Sequence, residues 1–194
     1  MTKYIWYFGY GSNTMKERFF CYINGIKFKW GGSDCTGCTD KTLPIENKWH
    51  TIKHELFFAK KADSWGKGGV AFITVNSDEN MQTYGRMWKI TEEQFSEIWK
   101  HEGKIWYNEK IDLESDYEGV PIWTITSNDK LDFNKPSEKY VKTIMCGLAE
   151  SDKFKNKKDE EPKNWICDYL SKKDGIKNEY SVEELKKLFD KDEP

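Results

Sequence analysis

The stretch YIWYFGYGSNTMKERF, residues 4–19, constrains the fold more than any other part of the chain. Five apolar or aromatic residues in a row, 4–8, read as a strand buried on both faces, because a half-buried strand would alternate. The run ends in Gly9-Tyr10-Gly11-Ser12-Asn13 and then turns helical over 14–23, with Thr14 and Glu17 at the spacing of a capping box. Two glycines between a buried strand and a helix mark a place where backbone turns tightly or comes close to something. The loop is not a dinucleotide fingerprint, since position 14 is Thr where a third glycine or alanine is required, and no lysine stands where a P-loop has one. What remains is a strand, a glycine turn and a helix start, whose free N–H groups suit a carboxylate or a developing oxyanion. A tight turn that simply needs glycine is the alternative that the residues alone leave open.

The rest of the chain mixes strands and helices without regular alternation. Residues 34–48 are polar and turn-rich, a long loop or insertion. Ile52, His54, Leu56 and Phe58 alternate with polar neighbours as one half-buried strand, and 70–76 and 83–90 repeat that pattern across the turn Ser77-Asp78-Glu79-Asn80. Thr91-Glu92-Glu93-Gln94 opens a helix with a capping box, and Gly103 stops it. Strands near 105–113 and 120–126 lead into a helix that begins around Pro136-Ser137. From 150 to 163 the chain is nearly all charge, a solvated segment. Short amphipathic helices follow at 165–170 and 182–189, the second behind Ser181 and Glu184. This order predicts an α+β fold with a largely antiparallel, curved sheet.

Size and charge limit the functional classes. A chain of 194 residues suits one domain with a full core, to which 9 Trp bring volume. Basic and acidic residues number 31 and 33, so no global field draws the protein to nucleic acid or to an anionic membrane. Only Arg18 and Arg86 are arginines, which argues against an arginine-led phosphate or base reader. No basic region followed by an apolar stretch opens the chain, and no apolar run approaches a membrane span, so we expect a soluble cytoplasmic protein. Cys21, Cys35, Cys38, Cys146 and Cys167 form an odd set without secretory context and read as reduced thiols, with Cys21, Cys146 and Cys167 acting as small core hydrophobes.

Periodicity singles out Glu102. On the helix over 92–102, Phe95, Ile98 and Trp99 lie at i, i+3 and i+4, and Glu102 falls at i+7 on the same stripe. A carboxylate on a buried face is expensive unless paired, and desolvation moves its proton affinity toward neutrality, where a general acid/base is useful. The other reading of the same spacing has this last-turn residue turned outward or paired with Lys104 or Arg86.

These motifs resemble the γ-glutamylcyclotransferase family, in which a first strand closes in Tyr/Phe-x-Tyr-Gly-Ser-Asn before a helix. Further features follow in the family's order. Trp65-Gly66-Lys67-Gly68-Gly69-Val70-Ala71 resembles its Trp-His-Gly-Gly-Ile-Ala stretch with one residue added, and Tyr84-Gly85-Arg86-Met87-Trp88-Lys89 its Trp-Gly-Val-Val-Trp-Lys strand. Glu102-Gly103 with Tyr107 matches a Glu-Gly pair and later aromatic, and Pro136-Ser137-Glu138-Lys139-Tyr140 a Pro-Ser-x-x-Tyr helix start. The order holds from about residue 4 to 150; the segment between Phe20 and Ala59 and the tail beyond Ser151 have no clear counterpart.

The resemblance implies a small mixed, largely antiparallel β-barrel flanked by helices, occupying residues 1–150, with residues 151–194 a charged segment and helices packed on it. It implies a cyclisation in which the α-amine of a γ-glutamyl amide attacks its own γ-carbonyl, releasing 5-oxoproline and an amine. Carried over, Glu102 is the general acid/base. Gly11, Ser12 and Asn13 hold the substrate's carboxylate or its γ-carbonyl oxygen, and Tyr10, Tyr107 and Tyr140 shape the pocket. The expected partner is a small γ-glutamyl amide, with no cofactor or metal, no nucleic acid and no membrane; oligomeric state is left open.

Two other classes stay in view. A non-enzymatic binding protein on the same scaffold would leave Glu102 facing solvent. A zinc-containing nucleic-acid binder would use Cys35-x-x-Cys38 and His50-x-x-x-His54, one residue short of a usual finger spacing, against which Thr42 and Lys48 stand at positions a finger keeps apolar. His101 precedes Glu102 and is a potential neighbour of the pocket. The lysines at 153, 155, 157, 158 and 163 alternate with acids and read as solvated surface.

Overall fold

In the computed structural model, which describes residues 2–158 and 160–192, the first strand lies at the centre of everything. Strand β1 (Tyr4–Gly9) is buried from Ile5 onward, as its unbroken apolar run predicts. It is flanked by β5 (Thr83–Thr91), antiparallel, and β7 (Val120–Thr126), parallel. Strand β2 (Glu46–Ile52) pairs with β5 and β6 (Glu109–Tyr117) with β7, both antiparallel, giving the five-stranded order β2-β5-β1-β7-β6.

Register puts Tyr7 opposite Trp88 on one side and Trp123 on the other, so three large rings form a row across one face of the sheet. Two helices cover that row. Helix α1 (Lys16–Asn24) brings Phe19, which stacks on Trp88 at 4.7 Å and on Tyr7 at 5.7 Å. Helix α2 (Glu92–Glu102) brings Phe95, which meets Tyr7 at 5.8 Å and Trp123 at 5.5 Å. The position of α2 is fixed at both ends by its own sequence. Thr91 and Gln94 exchange the two hydrogen bonds of a capping box, each 3.1 Å, and Gly103 follows the last turn.

The strands do not close into the expected barrel. Strands β3 (Leu56–Ala62) and β4 (Gly68–Ile73) form a separate antiparallel hairpin. The outer edge of β4 is satisfied by side chains and loop rather than by another strand. Gly69 N–H donates to Lys135 O, Ala71 N–H to the Tyr140 hydroxyl and Ile73 N–H to Thr126 Oγ1, while Tyr107 and Thr126 hydroxyls donate to the Ala71 and Ile73 carbonyls. Side-chain hydroxyls thus take the place of the missing ladder, and they leave a gap between hairpin and sheet that a paired strand would have filled.

Two local expectations need correction. Ser12–Thr14 form a 3-10 turn and α1 starts only at Lys16, because the Thr14 hydroxyl donates back to Gly11 O at 2.8 Å instead of capping the helix. The alternation from Ile52 to Phe58 is split between β2 and β3 by a turn at 53–55, although Ile52, His54, Leu56 and Phe58 are all buried. The charged segment is mostly exposed among the described residues, as expected, Ser151 being buried and helix α4 (Glu160–Ser171) starting at its end.

Helix α3 (Glu138–Ala149) runs through the core with Val141, Ile144, Met145 and Leu148 buried, and Ser137 caps it. Gly147 lets it press against the glycine loop: a Cβ there would lie 2.4 Å from Thr14 Oγ1 and 2.5 Å from Met15 N. Helices α4 and α5 (Val182–Asp190) bury Ile166, Cys167, Leu170, Leu185 and Leu188 in the same core. No helix among the described residues is long and apolar enough to cross a membrane.

Candidate active site

The gap between hairpin and sheet is a pocket of about 90 Å³, several times the room one water needs. Glu102, Tyr10, Gly11, Ser12, Asn13, Tyr107 and Tyr140 all line it. They arrive from four places: the turn after β1, the end of α2, the turn before β6 and the start of α3.

Glu102 is half-buried and faces the glycine loop, not Lys104 or Arg86. Asn13 Nδ2 donates to Glu102 Oε1 at 2.7 Å and to the Tyr7 hydroxyl at 3.1 Å. Because a carboxylate only accepts, this bond fixes which end of the Asn13 amide is nitrogen. Asn13 Oδ1 is then left buried with no partner among the described residues. Arg86 is engaged elsewhere, in an ion pair with Glu150 and in bonds to Asn47 Oδ1 and Thr14 O. Lys104 Nζ sits over the Trp99 ring at 4.4 Å.

Gly11 answers the question posed by the loop. A Cβ built on it would lie 2.8 Å from the Tyr140 hydroxyl and 3.0 Å from Ala71 Cβ. The glycine is therefore required for close approach. Asn13 O is held by Trp88 Nε1 at 2.9 Å, so the floor of the loop is tied to β5.

The three tyrosines do different things. Tyr10 donates its proton to Ile125 O at 2.7 Å and Tyr107 donates to Ala71 O at 3.1 Å, so both hydroxyls are spent on backbone and their rings form walls. Trp99 Nε1 in turn donates to Tyr107 O, and the Trp106 and Tyr107 N–H groups donate to Gly103 O, a tight turn that carries Tyr107 from the end of α2 into the pocket. The Tyr140 hydroxyl instead accepts Ala71 N–H at 3.1 Å and keeps its own proton to donate. Burial pushes the Tyr140 phenol up to about 12, with the Ala71 bond opposing, and it holds Tyr10 and Tyr107 well above their ordinary value. All three are neutral hydroxyls at physiological pH.

The pocket also holds residues to which sequence reading gave no role. Arg18 and Tyr22 come from α1, and Trp65 from the turn after β3. Arg18 is 2% exposed and donates through Nη2 to the Tyr22 hydroxyl at 2.6 Å; its Nε has no partner and it enters no ion pair among the described residues. Tyr22 feels both charges of the pocket: burial raises its phenol, Arg18 pulls it down and Glu102 pushes it up. The signal for Arg18 was its i, i+4 spacing to Tyr22 beside the buried Phe19. His101 lines the rim, its Nε2 3.2 Å from Gly37 O.

The cysteine and histidine pairs do not converge. Cys35 and Cys38 sulfurs contact carbonyls of α1, at Cys21 O and Tyr22 O, whereas His50 is in β2 and His54 Nδ1 lies 2.7 Å from Thr74 O. Among the described residues no group of three or more His, Cys, Asp or Glu side chains is gathered to hold a metal.

No family model matches the sequence. A curated relative, histone deacetylase 5 of Arabidopsis thaliana, is 27% identical over 208 aligned positions, which take in 87% of this chain and 31% of that protein. The chain thus spans about a third of the relative it matches. Solved structures are similar over far more of their length. A γ-glutamyl cyclotransferase aligns with TM-score 0.56 and 18% identity, covering 84% of this chain and 98% of that one. An uncharacterized protein from Homo sapiens gives 0.58 and 18%, covering 95% and 99%. YkqA from Bacillus subtilis gives 0.50 and 20%, covering 82% of this chain and 54% of its own. At these identities the likeness is one of fold: the chain is a mixed α+β protein with the fold of γ-glutamyl cyclotransferases.

Proposed function

We propose that the protein is a γ-glutamyl cyclotransferase, releasing 5-oxoproline and a free amine from a γ-glutamyl amide with Glu102 as general acid/base. The observation that carries this reading is the 2.7 Å bond from Asn13 to Glu102, which ties a carboxylate to the glycine loop within the pocket. Glu102 takes a proton from the substrate's α-ammonium. The freed amine attacks the γ-carbonyl carbon, a carbon–nitrogen bond forms, and negative charge gathers on the carbonyl oxygen. Collapse of that intermediate breaks the original amide bond as Glu102 returns the proton to the departing nitrogen, and the ring nitrogen gives up its second proton to leave the neutral lactam, the released amine taking that proton up from solvent. Ring closure within one molecule needs positioning more than power, so a pocket that folds the γ-glutamyl group back on itself supplies much of the rate.

The remaining assignments follow the same logic. Gly11, Ser12 and Asn13 hold a substrate oxygen through their backbone, and the Tyr140 proton is a second donor beside them. Tyr10 and Tyr107 confine the substrate. A metal or organic cofactor has no step to perform in this scheme. The division into a cyclotransferase domain over 1–150 and an added segment over 151–194, and a cytoplasmic location, belong to the same proposal. The leaving amine can be an amino acid, a dipeptide such as that of glutathione, a lysine side chain or a biosynthetic intermediate. The test is 5-oxoproline release by the purified protein from a panel of these amides, which also names the leaving group; a panel that yields none contradicts the reading.

A further inference from the structure

Of three buried side-chain atoms left unpartnered among the described residues, Trp30 Nε1 lies away from the pocket, and the other two belong to residues that line it and are of opposite kind. Asn13 Oδ1 is an acceptor and Arg18 Nε a donor. Buried polar groups are nearly always hydrogen-bonded, so a pair of exceptions in one cavity points to what the cavity is built to receive. The charges tell the same story. Glu102, Arg18 and Tyr22 line the same pocket, with Arg18 bonded to the Tyr22 hydroxyl, yet neither Glu102 nor Arg18 enters an ion pair among the described residues. Arg86, the other buried arginine, has its carboxylate in Glu150. The Arg18 guanidinium has one neutral oxygen as its hydrogen-bond partner and lies over the rings of Tyr22, Phe28 and Trp65, with Cζ 4.3 Å from the Tyr22 ring centre, so a carboxylate is the partner it lacks.

Resting on the cyclotransferase reading, we propose that Arg18 binds the substrate's α-carboxylate while Glu102 and Asn13 Oδ1 receive its α-ammonium, so that the pocket is a receptor for a zwitterionic amino-acid head group. The two substrate charges sit on one carbon, and the two protein charges line one pocket. The arrangement selects γ-glutamyl amides whose α-amine and α-carboxylate are both free. It also settles which substrate oxygen meets the glycine loop: with the carboxylate on Arg18, the backbone of Gly11, Ser12 and Asn13 is left for the γ-carbonyl oxygen, where charge develops.

The test compares two lactams that the protein cannot turn over further, 5-oxoproline and 2-pyrrolidinone, the same ring without the carboxylate. Their binding is measured by calorimetry on the wild type, Arg18→Lys and Arg18→Met, with near-UV circular dichroism to confirm folding. A hydrogen-bonded charge predicts that the wild type prefers 5-oxoproline by about 10- to 100-fold. That preference falls toward one in Arg18→Met and partway in Arg18→Lys, which keeps the charge but loses the planar fork. Equal binding of the two lactams to the wild type overturns the assignment without need of any variant. So does a preference that survives unchanged in either folded variant, which would place the carboxylate on the loop backbone. The release assay separates the two ideas. A protein that turns over γ-glutamyl amides but does not distinguish the lactams refutes the Arg18 role alone. One that distinguishes them through Arg18 without turnover keeps the receptor and loses the reaction. One that does neither loses both.

Discussion

Asn13 and Glu102 lie 89 residues apart in sequence and are joined by a 2.7 Å hydrogen bond from Nδ2 to Oε1. The same amide nitrogen also reaches the Tyr7 hydroxyl on the central strand, so the carboxylate is oriented by the sheet itself through one side chain. We expect Asn13→Ala to leave the fold in place and to lower kcat/KM for 5-oxoproline release about 100-fold, with kcat falling because the carboxylate loses its orientation and KM rising because the α-ammonium loses an acceptor. A variant with unchanged kcat would show that Glu102 needs no such support.

The contact between Gly11 and Tyr140 makes a second prediction. Gly11→Ala places a methyl group 2.8 Å from the Tyr140 hydroxyl and 3.0 Å from Ala71 Cβ, an overpacking that should cost about 1–3 kcal/mol in urea denaturation. Removing the hydroxyl relieves one of the two collisions. Gly11→Ala combined with Tyr140→Phe should therefore be less unstable than the sum of the single changes by about 0.5–2 kcal/mol. Strict additivity would mean that the loop moves away from Tyr140 instead of meeting it.

Tyr140 also sets an alkaline limit. Its phenol titrates near 10 in the unfolded chain and is pushed up to about 12 in the fold by burial. The folded state therefore holds the proton more tightly. The stability this contributes is complete below pH 10 and is lost as pH rises from 10 through 12, at up to about 1.4 kcal/mol per pH unit. Unfolding free energies measured from pH 9 to 12 should fall less steeply in Tyr140→Phe than in the wild type. Equal slopes would show that this phenol does not titrate with unfolding.

Helix α3 is predicted to report on the same loop from behind. Gly147→Ala drives a Cβ to within 2.4 Å of Thr14 Oγ1, so it should destabilise the protein by about 1–3 kcal/mol and reduce release, though residue 147 lies outside the pocket. Loss of stability with full activity would separate the helix from the site.

How much of this could be read from the sequence depended on how local each cause was. Helix α2 was legible at both ends and on its inner face, because Thr91, Gln94, Gly103 and the Phe95–Glu102 stripe act within one element. The central strand was legible because burial on both faces leaves an unbroken apolar run. Thr14 misled, since a hydroxyl near a helix start caps the helix or bonds a preceding carbonyl depending on a turn that sequence does not display. The barrel failed for a related reason: Tyr107, Thr126 and Tyr140 occupy the edge of β4, and no pattern along β4 announces partners 36 to 69 residues away. Arg18 went unassigned because its meaning lies in what is missing around it, and that is visible only once Tyr22, Trp65 and Glu102 are brought together.

The most direct measurement is 5-oxoproline release by the wild type and by Glu102→Gln, assayed side by side on γ-glutamyl amides after both are shown to be folded. The exchange keeps size and the hydrogen bond partner for Asn13 and removes the base. Release by the wild type that falls by at least about 100-fold in Glu102→Gln is the predicted result. Release that persists in the variant would contradict the role given to Glu102, and a folded wild type that releases none would contradict the cyclotransferase itself.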